Sequence, residues 1–238
     1  MISLLCERGM ENGAKKFGGV RVLIFDLDGT LIDSKLDLAL AVNATRENCG
    51  LRALEHERIY SYVGNGAPTL IRLALEEGMS EEGVQEGLKF FLQYYRAHML
   101  DNTALYPGVR EGLERLVGRE MAVLTNKPVR FSEAIIEGLD IARYFRFIYG
   151  GNSFERKKPD PMGVEVLLRD MQARPEEAMM VGDSEVDVKT ARSAGIWACG
   201  VSYGLGSERL IEFPPDVMVD SLSELPAYLD GPGEGVVR

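Results

Sequence analysis

Cysteine is scarce in this sequence, and its spacing argues against two kinds of architecture. The three cysteines, Cys6, Cys49 and Cys199, are far apart and odd in number, and no two of them form a CxxC pair. This pattern supports neither a disulfide framework nor a cysteine-ligated zinc site. The sequence therefore predicts a protein of a reducing compartment, the cytoplasm.

Long apolar runs and an excess of basic residues are missing as well. No stretch approaches the ~18 uncharged apolar residues that a membrane-spanning helix needs. Residues 1–10 also lack the cationic start and apolar core of a signal peptide. Lysine and arginine total 27 against 37 acidic residues, a net charge of −10, whereas nucleic-acid-binding proteins usually carry a basic face. We therefore expect neither a membrane nor a nucleic acid as a partner.

What the sequence does contain is an apolar run, Val22–Phe25, that ends abruptly in carboxylates. Uninterrupted β-branched and aromatic residues are typical of a strand buried on both faces of a parallel sheet. Asp26 and Asp28 follow it, and a continuing strand would place both on one side, about 7 Å apart. Since like charges that close repel each other, we expect a positive partner between them.

The rest of the chain divides into two patterns. Residues 34–104 contain helical patterns without a convincing strand, and Ser34 is expected to cap the first of these helices. From residue 106 onward, strand and helix patterns alternate, which predicts an α/β fold with a doubly wound parallel sheet. The predicted organisation is a loose leader at 1–19, a core formed by 20–33 and 105–230, a helical insertion at 34–104, and a flexible tail at 231–238.

Polar residues follow four of the predicted strands. They are Asp26 and Asp28 after the first, Thr125, Asn126 and Lys127 after the second, the Arg156–Asp160 segment after the third, and Gly182, Asp183, Ser184 and Asp187 after the fourth. Ligands of open parallel sheets bind at the carboxyl ends of the strands. Carboxylates without histidine or cysteine favour Mg²⁺. A hydroxyl, an amide and a lysine suit phosphoryl oxygens, so the pattern indicates phosphoryl transfer.

Four of these segments together resemble the motifs of the haloacid dehalogenase (HAD) superfamily of phosphohydrolases. Asp26–Ser34 resembles its first motif, Thr125 its second, Lys158-Pro159 its third and Gly182–Asp187 its fourth. The resemblance implies a Rossmann-like core and a small phosphorylated metabolite as the substrate. It also implies that the helical insertion is a cap that closes over the site and excludes water.

The resemblance implies roles for the residues that match the motifs. Asp26 would be the nucleophile that forms an aspartyl-phosphate, and Asp28 would act as the acid and then as the base. Thr125 and Lys158 would hold the phosphoryl group.

It implies a metal site as well. The side chains of Asp26 and Asp183 and the backbone carbonyl of Asp28 would bind Mg²⁺. Ser184 and Asp187 would lie behind these ligands.

A narrower similarity, to the phosphoglycolate phosphatases, covers most of the chain after residue 20. It includes the segments 62–66, 124–128, 140–145 and 157–161. The helix expected near Ala67 would direct its amides at the anionic end of the substrate. The candidate substrate contacts are Gly29, Thr125, Asn126 and Lys158 in the core, and Asn65, Gly66 and Arg72 in the insertion. We expect a monomer or a homodimer.

Alternative interpretations remain open for single motifs and for the function. Thr125 and Asn126 also suit a helix cap, and the lysines before Pro159 also suit an exposed surface. A calcium-binding EF-hand loop does not fit, because the sixth residue counted from Asp26 is Leu31 rather than glycine. Alternative activities are those of a pyrophosphatase, a nucleotidase, or a sugar-phosphate phosphatase or mutase. A phosphorylatable receiver-like protein is the alternative outside enzymes.

Overall fold

A parallel sheet of six strands lies at the centre of the protein. A computed structural model describes residues 17–75 and 78–230. The strand order is β5-β4-β1-β6-β7-β8, and every neighbouring pair is parallel. The strands are β1 (Val22–Phe25), β4 (Glu120–Leu124), β5 (Phe147–Tyr149), β6 (Ala178–Gly182), β7 (Trp197–Val201) and β8 (Val217–Val219). This arrangement confirms the predicted α/β fold with a parallel sheet.

Helices cover the sheet and connect its strands. They are α5 (Val109–Arg115), α6 (Val129–Gly138), α7 (Met162–Asp170), α8 (Glu185–Ala194) and α9 (Leu225–Asp230). All four residues of β1 are fully buried. Leu23 and Phe25 belong to the apolar cluster on one side of the sheet, and Val22 and Ile24 to the cluster on the other. The strand therefore has an apolar face on both sides, as its unbroken apolar sequence predicts.

The helices between β1 and residue 104 form a separate layer with an apolar cluster of its own. Its helices are α1 (Lys35–Asn48), α2 (His56–Tyr60), α3 (Ala67–Leu75) and α4 (Glu81–His98). Ser80 caps α4, because its side chain accepts a hydrogen bond from the amide of Gly83. Ser34 occupies the N-cap position of α1, as expected, but its side chain makes no capping hydrogen bond. The Ser34 hydroxyl donates to Asp28 Oδ1 instead, at 2.5 Å.

Both connections to this helical layer pass through a short antiparallel ribbon. β2 (Ile32–Asp33) pairs with β3 (Ala104–Leu105), Ile32 opposite Leu105 and Asp33 opposite Ala104. The expectation that residues 34–104 contain no strand is therefore wrong at Ala104, where β3 begins. Two-residue strands are too short to produce a periodic apolar pattern in the sequence.

The ends of the described chain bear on two further expectations. Of the predicted leader, residues 1–16 lie outside the described residues, and Phe17 is buried with its ring edge-on to Trp197. The predicted tail, 231–238, lies outside the described residues as well. Among the helices that the structure describes, not one combines the length and apolar character needed to cross a membrane.

Beside the ribbon, the buried carboxylate of Asp37 holds together the two chain segments that connect the helical layer to the core. Asp37, in the first turn of α1, is 1% exposed. It accepts hydrogen bonds from the backbone amides of Asn102 and Thr103, and from their side chains, at 2.7–3.1 Å. Four donor groups thus depend on one acceptor side chain.

Replacing this acceptor is expected to destabilise the protein. The substitution Asp37→Ala leaves the buried donors of Thr103 and the partly buried donors of Asn102 without this acceptor, at a cost of about 3 kcal/mol in the free energy of unfolding. Urea denaturation measures this loss. The matched control is Asp101→Ala, since Asp101 is an exposed partner of His98, and it should change the free energy by less than about 1 kcal/mol. Equal effects of the two substitutions would contradict this role of Asp37.

Candidate active site

The predicted strand-end residues meet at one edge of the sheet. β1 lies between β4 and β6, so the carboxyl ends of these three strands are neighbours. Asp26 continues the β1 backbone pairing, because its amide donates to Val181 O at 2.9 Å. Thr125 continues β4 in the same way, bonded to Tyr149 O at 3.0 Å. The site therefore lies where the chain crosses from one half of the sheet to the other.

Lys158 provides a positive partner for two of the carboxylates. Its side chain is buried, and its Nζ lies 2.9 Å from Asp26 Oδ1 and 2.6 Å from Asp187 Oδ1. Burial works against the charged form, but the carboxylates of Asp187 and Asp26 outweigh it and raise the pKa of Lys158. The loop between β5 and α7 carries this charge to the strand end. Lys158 is therefore part of the site rather than of an exposed basic surface.

Asp26, Asp183 and Asp187 form a buried acidic cluster. One carboxylate oxygen from each lies within 4.8 Å of the others. Burial raises the pKa of Asp26 to about 6, and Lys158 only partly opposes it. Burial, with the charges of Asp187 and Asp26, raises the pKa of Asp183 to about 8. Three oxygen donors with unfavourable negative charge fit a hard divalent cation such as Mg²⁺.

Asp183 is held in place by short backbone and hydroxyl contacts. Its Oδ1 accepts from Thr30 Oγ1 at 3.2 Å, and its Oδ2 accepts from the amide of Gly206 at 2.9 Å. Gly29 has φ +86°, and a Cβ there would lie 2.3 Å from Asp183 Oδ2. A glycine is therefore needed at position 29 for the backbone turn and for space beside the carboxylate.

Asp187 connects the lysine to the beginning of α8. Its Oδ2 accepts from the amide of Ser184 at 3.1 Å and from the Ser184 hydroxyl at 2.6 Å, while its Oδ1 faces Lys158. Ser184 thus reaches the acidic cluster through Asp187. Their expected position behind the metal ligands remains a prediction.

The Asp28 side chain points away from the acidic cluster. Its carboxylate contacts Lys127 Nζ at 3.0 and 3.1 Å, and it accepts the hydrogen bond from Ser34. Lys127 also donates to the hydroxyl of Tyr95 at 2.8 Å. Asp28 and Asp26 therefore have different positive partners. The expectation that Asp28 offers its backbone carbonyl to a metal remains a prediction.

Lys127 is a buried charge that the motif analysis left without a role. Burial opposes its charge, but Asp28 and Tyr95 outweigh that effect and raise its pKa. Burial also raises the pKa of Tyr95 to about 12, so its hydroxyl stays protonated. The sequence signal that could have identified Lys127 is its position, because it comes two residues after Thr125 at the same strand end. Tyr95 packs against the rings of Phe91 and Phe131 with its hydroxyl turned to the site.

Asn126 fastens the helical layer to the core. Its amide Nδ2 donates to Gly64 O at 3.0 Å and to Lys158 O at 3.1 Å. Its Oδ1 is buried and has no hydrogen-bond partner among the described residues. Both amide protons are thus already used within the protein. The expected contact of this side chain with substrate remains a prediction.

The candidate residues of the insertion have different surroundings. Gly66 borders the site, and a Cβ there would lie 2.9 Å from Asn126 O. Asn65 O accepts from Lys157 Nζ at 2.5 Å. The structure does not bring Arg72 to the site. Its exposed guanidinium binds both oxygens of Glu81, at 2.8 and 2.9 Å.

Helix geometry explains the position of Arg72. Ala67 and Leu70 line the site from α3, three residues apart on one helix face. Arg72 comes two residues after Leu70, about 200° around the helix. It therefore faces away from the site.

A cavity separates the strand ends from the helical layer. Asp26, Asp28, Thr125 and Lys127 border it from the core, and Gly66, Ala67, Leu70 and Tyr95 border it from the insertion. A small ligand in this cavity would contact both layers at once.

Comparison with known proteins places this site in a family. The profile of the family described as haloacid dehalogenase-like hydrolase matches residues 23–201. The chain belongs to this family. It is thus a HAD hydrolase with a Rossmann-like core, as the four motifs predicted.

Individual relatives point to the same class. The phosphoglycolate phosphatase of Pseudomonas syringae pv. syringae is 39% identical over 219 residues, covering 88% of this chain and 80% of the relative. That of Vibrio parahaemolyticus is 40% identical, covering 87% and 94%. A crystal structure from Haemophilus somnus, described as a predicted phosphoglycolate phosphatase, has a TM-score of 0.83 at 30% identity. It covers 87% of this chain and 96% of that one. The chain is a HAD-type phosphatase.

The space beside Asp183 makes Gly29 a sensitive position. We expect Gly29→Ala to lower kcat/KM for a phosphomonoester at least about 100-fold. The added methyl group would lie 2.3 Å from Asp183 Oδ2 and would push this candidate metal ligand out of position. The matched control is Gly50→Ala, where φ is +74° but nothing lies within 4 Å of the added Cβ. Both substitutions should cost about 1 kcal/mol in unfolding free energy for the left-handed backbone, and Gly29→Ala should cost about 1–3 kcal/mol more for overpacking against Asp183. A similar kcat/KM for the two variants would show that contact with Asp183 is unimportant.

The raised carboxyl pKa values predict a pH-dependent response to Mg²⁺. Since the folded-state pKa of Asp183 is about 8 and its ordinary value is 3.8, the metal-free protein binds extra protons when folded. It should therefore lose stability as the pH rises from about 4 to 8. Because the metal competes with these protons, Mg²⁺ should bind at least about tenfold more tightly at pH 8 than at pH 6. Calorimetry and thermal unfolding with and without chelator measure both effects.

The control for this prediction is Asp183→Asn, which removes the titrating group. Its metal-free unfolding temperature should depend less on pH between 6 and 8 than that of the wild type. A wild-type Mg²⁺ affinity that is the same at both pH values would contradict the assignment.

Proposed function

We propose that this phosphatase hydrolyses 2-phosphoglycolate to glycolate and phosphate in a Mg²⁺-dependent reaction, through an aspartyl-phosphate on Asp26. The observation that supports this most directly is the buried carboxylate of Asp26 at the end of β1, oriented by Lys158 beside two further aspartates. The substrate is suggested by the relatives called phosphoglycolate phosphatase and by the small cavity.

Asp26 is suited to attack phosphorus. Its Oδ1 is fixed by the amide of Leu27 at 2.7 Å and by Lys158, while Oδ2 makes no hydrogen bond to the described residues. In the proposed first step, Oδ2 forms a bond to phosphorus and the bond from phosphorus to the glycolate oxygen breaks. Asp28 gives its proton to that oxygen, so glycolate leaves as an alcohol.

The second step releases phosphate. Asp28 takes a proton from water, the water oxygen bonds to phosphorus, and the bond to Asp26 breaks. Thr125 and Lys158 would hold the phosphoryl oxygens during both steps, because a hydroxyl and a fixed positive charge stabilise the charge that develops there. Residues 34–104 would act as the cap that keeps bulk water out of the cavity.

The metal site follows from the same donors. The side chains of Asp26 and Asp183 and the backbone carbonyl of Asp28 would hold Mg²⁺, with Asp187 behind them. Bound Mg²⁺ would neutralise the carboxylates and the phosphoryl group, which otherwise repel each other.

The decisive variant is Asp26→Asn, which removes the nucleophile while preserving shape. Turnover should fall by more than about 10³-fold with the unfolding temperature close to that of the wild type. Asp220→Asn is the matched control, since Asp220 also directly follows a strand but lies outside the site, where its carboxylate accepts from Ser202 Oγ and its backbone amide donates to Glu224. Full Mg²⁺-dependent activity of Asp26→Asn would overturn the mechanism.

A substrate panel tests the proposed substrate. Phosphate release from 2-phosphoglycolate should have a higher kcat/KM than release from pyrophosphate, a nucleoside monophosphate or a sugar phosphate. A higher value for one of these would assign the alternative activity. A stable acyl phosphate on Asp26 without turnover would instead favour a receiver-like protein.

A further inference from the structure

Lys127 is a cation that lines the cavity, and the proposed reaction gives it no contact with the substrate. Among the described residues that line the cavity, its ammonium is the one positive group, and the acidic lining groups are Asp26 and Asp28. The Lys127 side chain is only 4% exposed. Asp28 offsets the cost of burying this charge, and an anion bound in the cavity would share the same ammonium.

The contacts of Lys127 use its own protons but leave the O–H of its partner Tyr95 available for a ligand. Its Nζ binds Asp28 and the Tyr95 hydroxyl, and it lies 4.6 Å from the centre of the Tyr95 ring. Since that hydroxyl accepts a hydrogen bond from Lys127, its own O–H can donate to another oxygen. The three protons of an ammonium can also be shared with a ligand when the side chain turns. Lys127 and Tyr95 thus form a pair of donors that faces the cavity.

Apart from Thr125, Asn126 and the start of α3 at Ala67, the lining offers an anion few polar groups. The cavity walls facing this pair consist largely of apolar side chains, from Leu38, Val63, Leu70, Phe91, Pro128 and Phe131. Apolar walls make an unpaired carboxylate unfavourable. A negative group on the leaving half of a substrate is therefore stabilised best beside Lys127.

We propose that Lys127 and Tyr95 recognise a carboxylate on the leaving group of the substrate, and that Lys127 determines specificity for small phosphorylated acids over neutral phosphomonoesters. This inference rests on the proposed phosphatase function of the same site. The pair joins both layers, because Lys127 follows β4 and Tyr95 belongs to α4. A carboxylate bound between them would also draw the helical layer to the sheet edge.

The test compares two substrates that differ only in this group. 2-Phosphoglycolate carries a carboxylate where 2-hydroxyethyl phosphate carries a neutral hydroxymethyl group. The ratio of their kcat/KM values should fall about 10- to 100-fold in Lys127→Gln, the loss of one charge-assisted hydrogen bond. Tyr95→Phe should lower it less, and Lys127→Arg should retain most of it. Lys157→Gln is the control, since Lys157 binds Asn65 O and does not line the cavity.

An unchanged ratio in Lys127→Gln, with both substrates losing activity equally, would overturn the inference. Lys127 would then act only by holding Asp28. A ratio that falls in Lys157→Gln instead would move the recognition to that residue.

A binding measurement separates this inference from the proposed reaction. The variant Asp26→Asn is expected to bind substrate without turning it over. Calorimetry compares its affinities for 2-phosphoglycolate and 2-hydroxyethyl phosphate with those of the double variant that also carries Lys127→Gln. A preference for 2-phosphoglycolate that disappears with Lys127→Gln supports the inference even if the wild type releases no phosphate. No preference in Asp26→Asn would overturn it even if the wild type is an active phosphatase.

Discussion

The ion pairs of Lys158 with Asp26 and Asp187 are the interactions on which the site depends. Three carboxylates in one buried cluster repel each other, and a single lysine compensates only part of that charge. Removing each ion from water costs several kcal/mol, which the neighbouring charges must offset. The local structure accordingly favours a second positive charge at the cluster. The hydroxyl of Thr30 and the amide of Gly206 hold Asp183 where such a charge would be shared.

The order of the strands explains how a chain with distant motifs forms one site. β1 supplies two aspartates, and its neighbours β4 and β6 supply the hydroxyl of Thr125 and the carboxylate of Asp183. Because all three strands are parallel, their carboxyl ends share one edge. The two aspartates that follow β1 differ in their ion-pair partners. Asp26 faces Lys158, and Asp28 faces Lys127 on the opposite side, next to the helical layer.

Much of this arrangement could be predicted from the sequence, because an unbroken apolar run identifies a buried strand and the residues after it identify the sheet edge. That reasoning located Asp26, Thr125, Lys158 and Asp183 at one place. It could not identify the partners of Asp28, since the contact with Lys127 joins residues 99 positions apart and depends on side-chain direction. The position of Arg72 was missed for a related reason. A helix is easily recognised, but the face it turns to a neighbour depends on packing.

The antiparallel ribbon of β2 and β3 has a consequence for how this architecture can change. It holds the two ends of a segment of about 70 residues at the spacing of adjacent strands. The entropy of closing such a loop grows only with the logarithm of its length. Longer, shorter or unrelated helical segments can therefore be exchanged at this junction at little cost to the sheet, provided that they return to the same two strands. The catalytic edge and the surface that covers it can thus diversify independently.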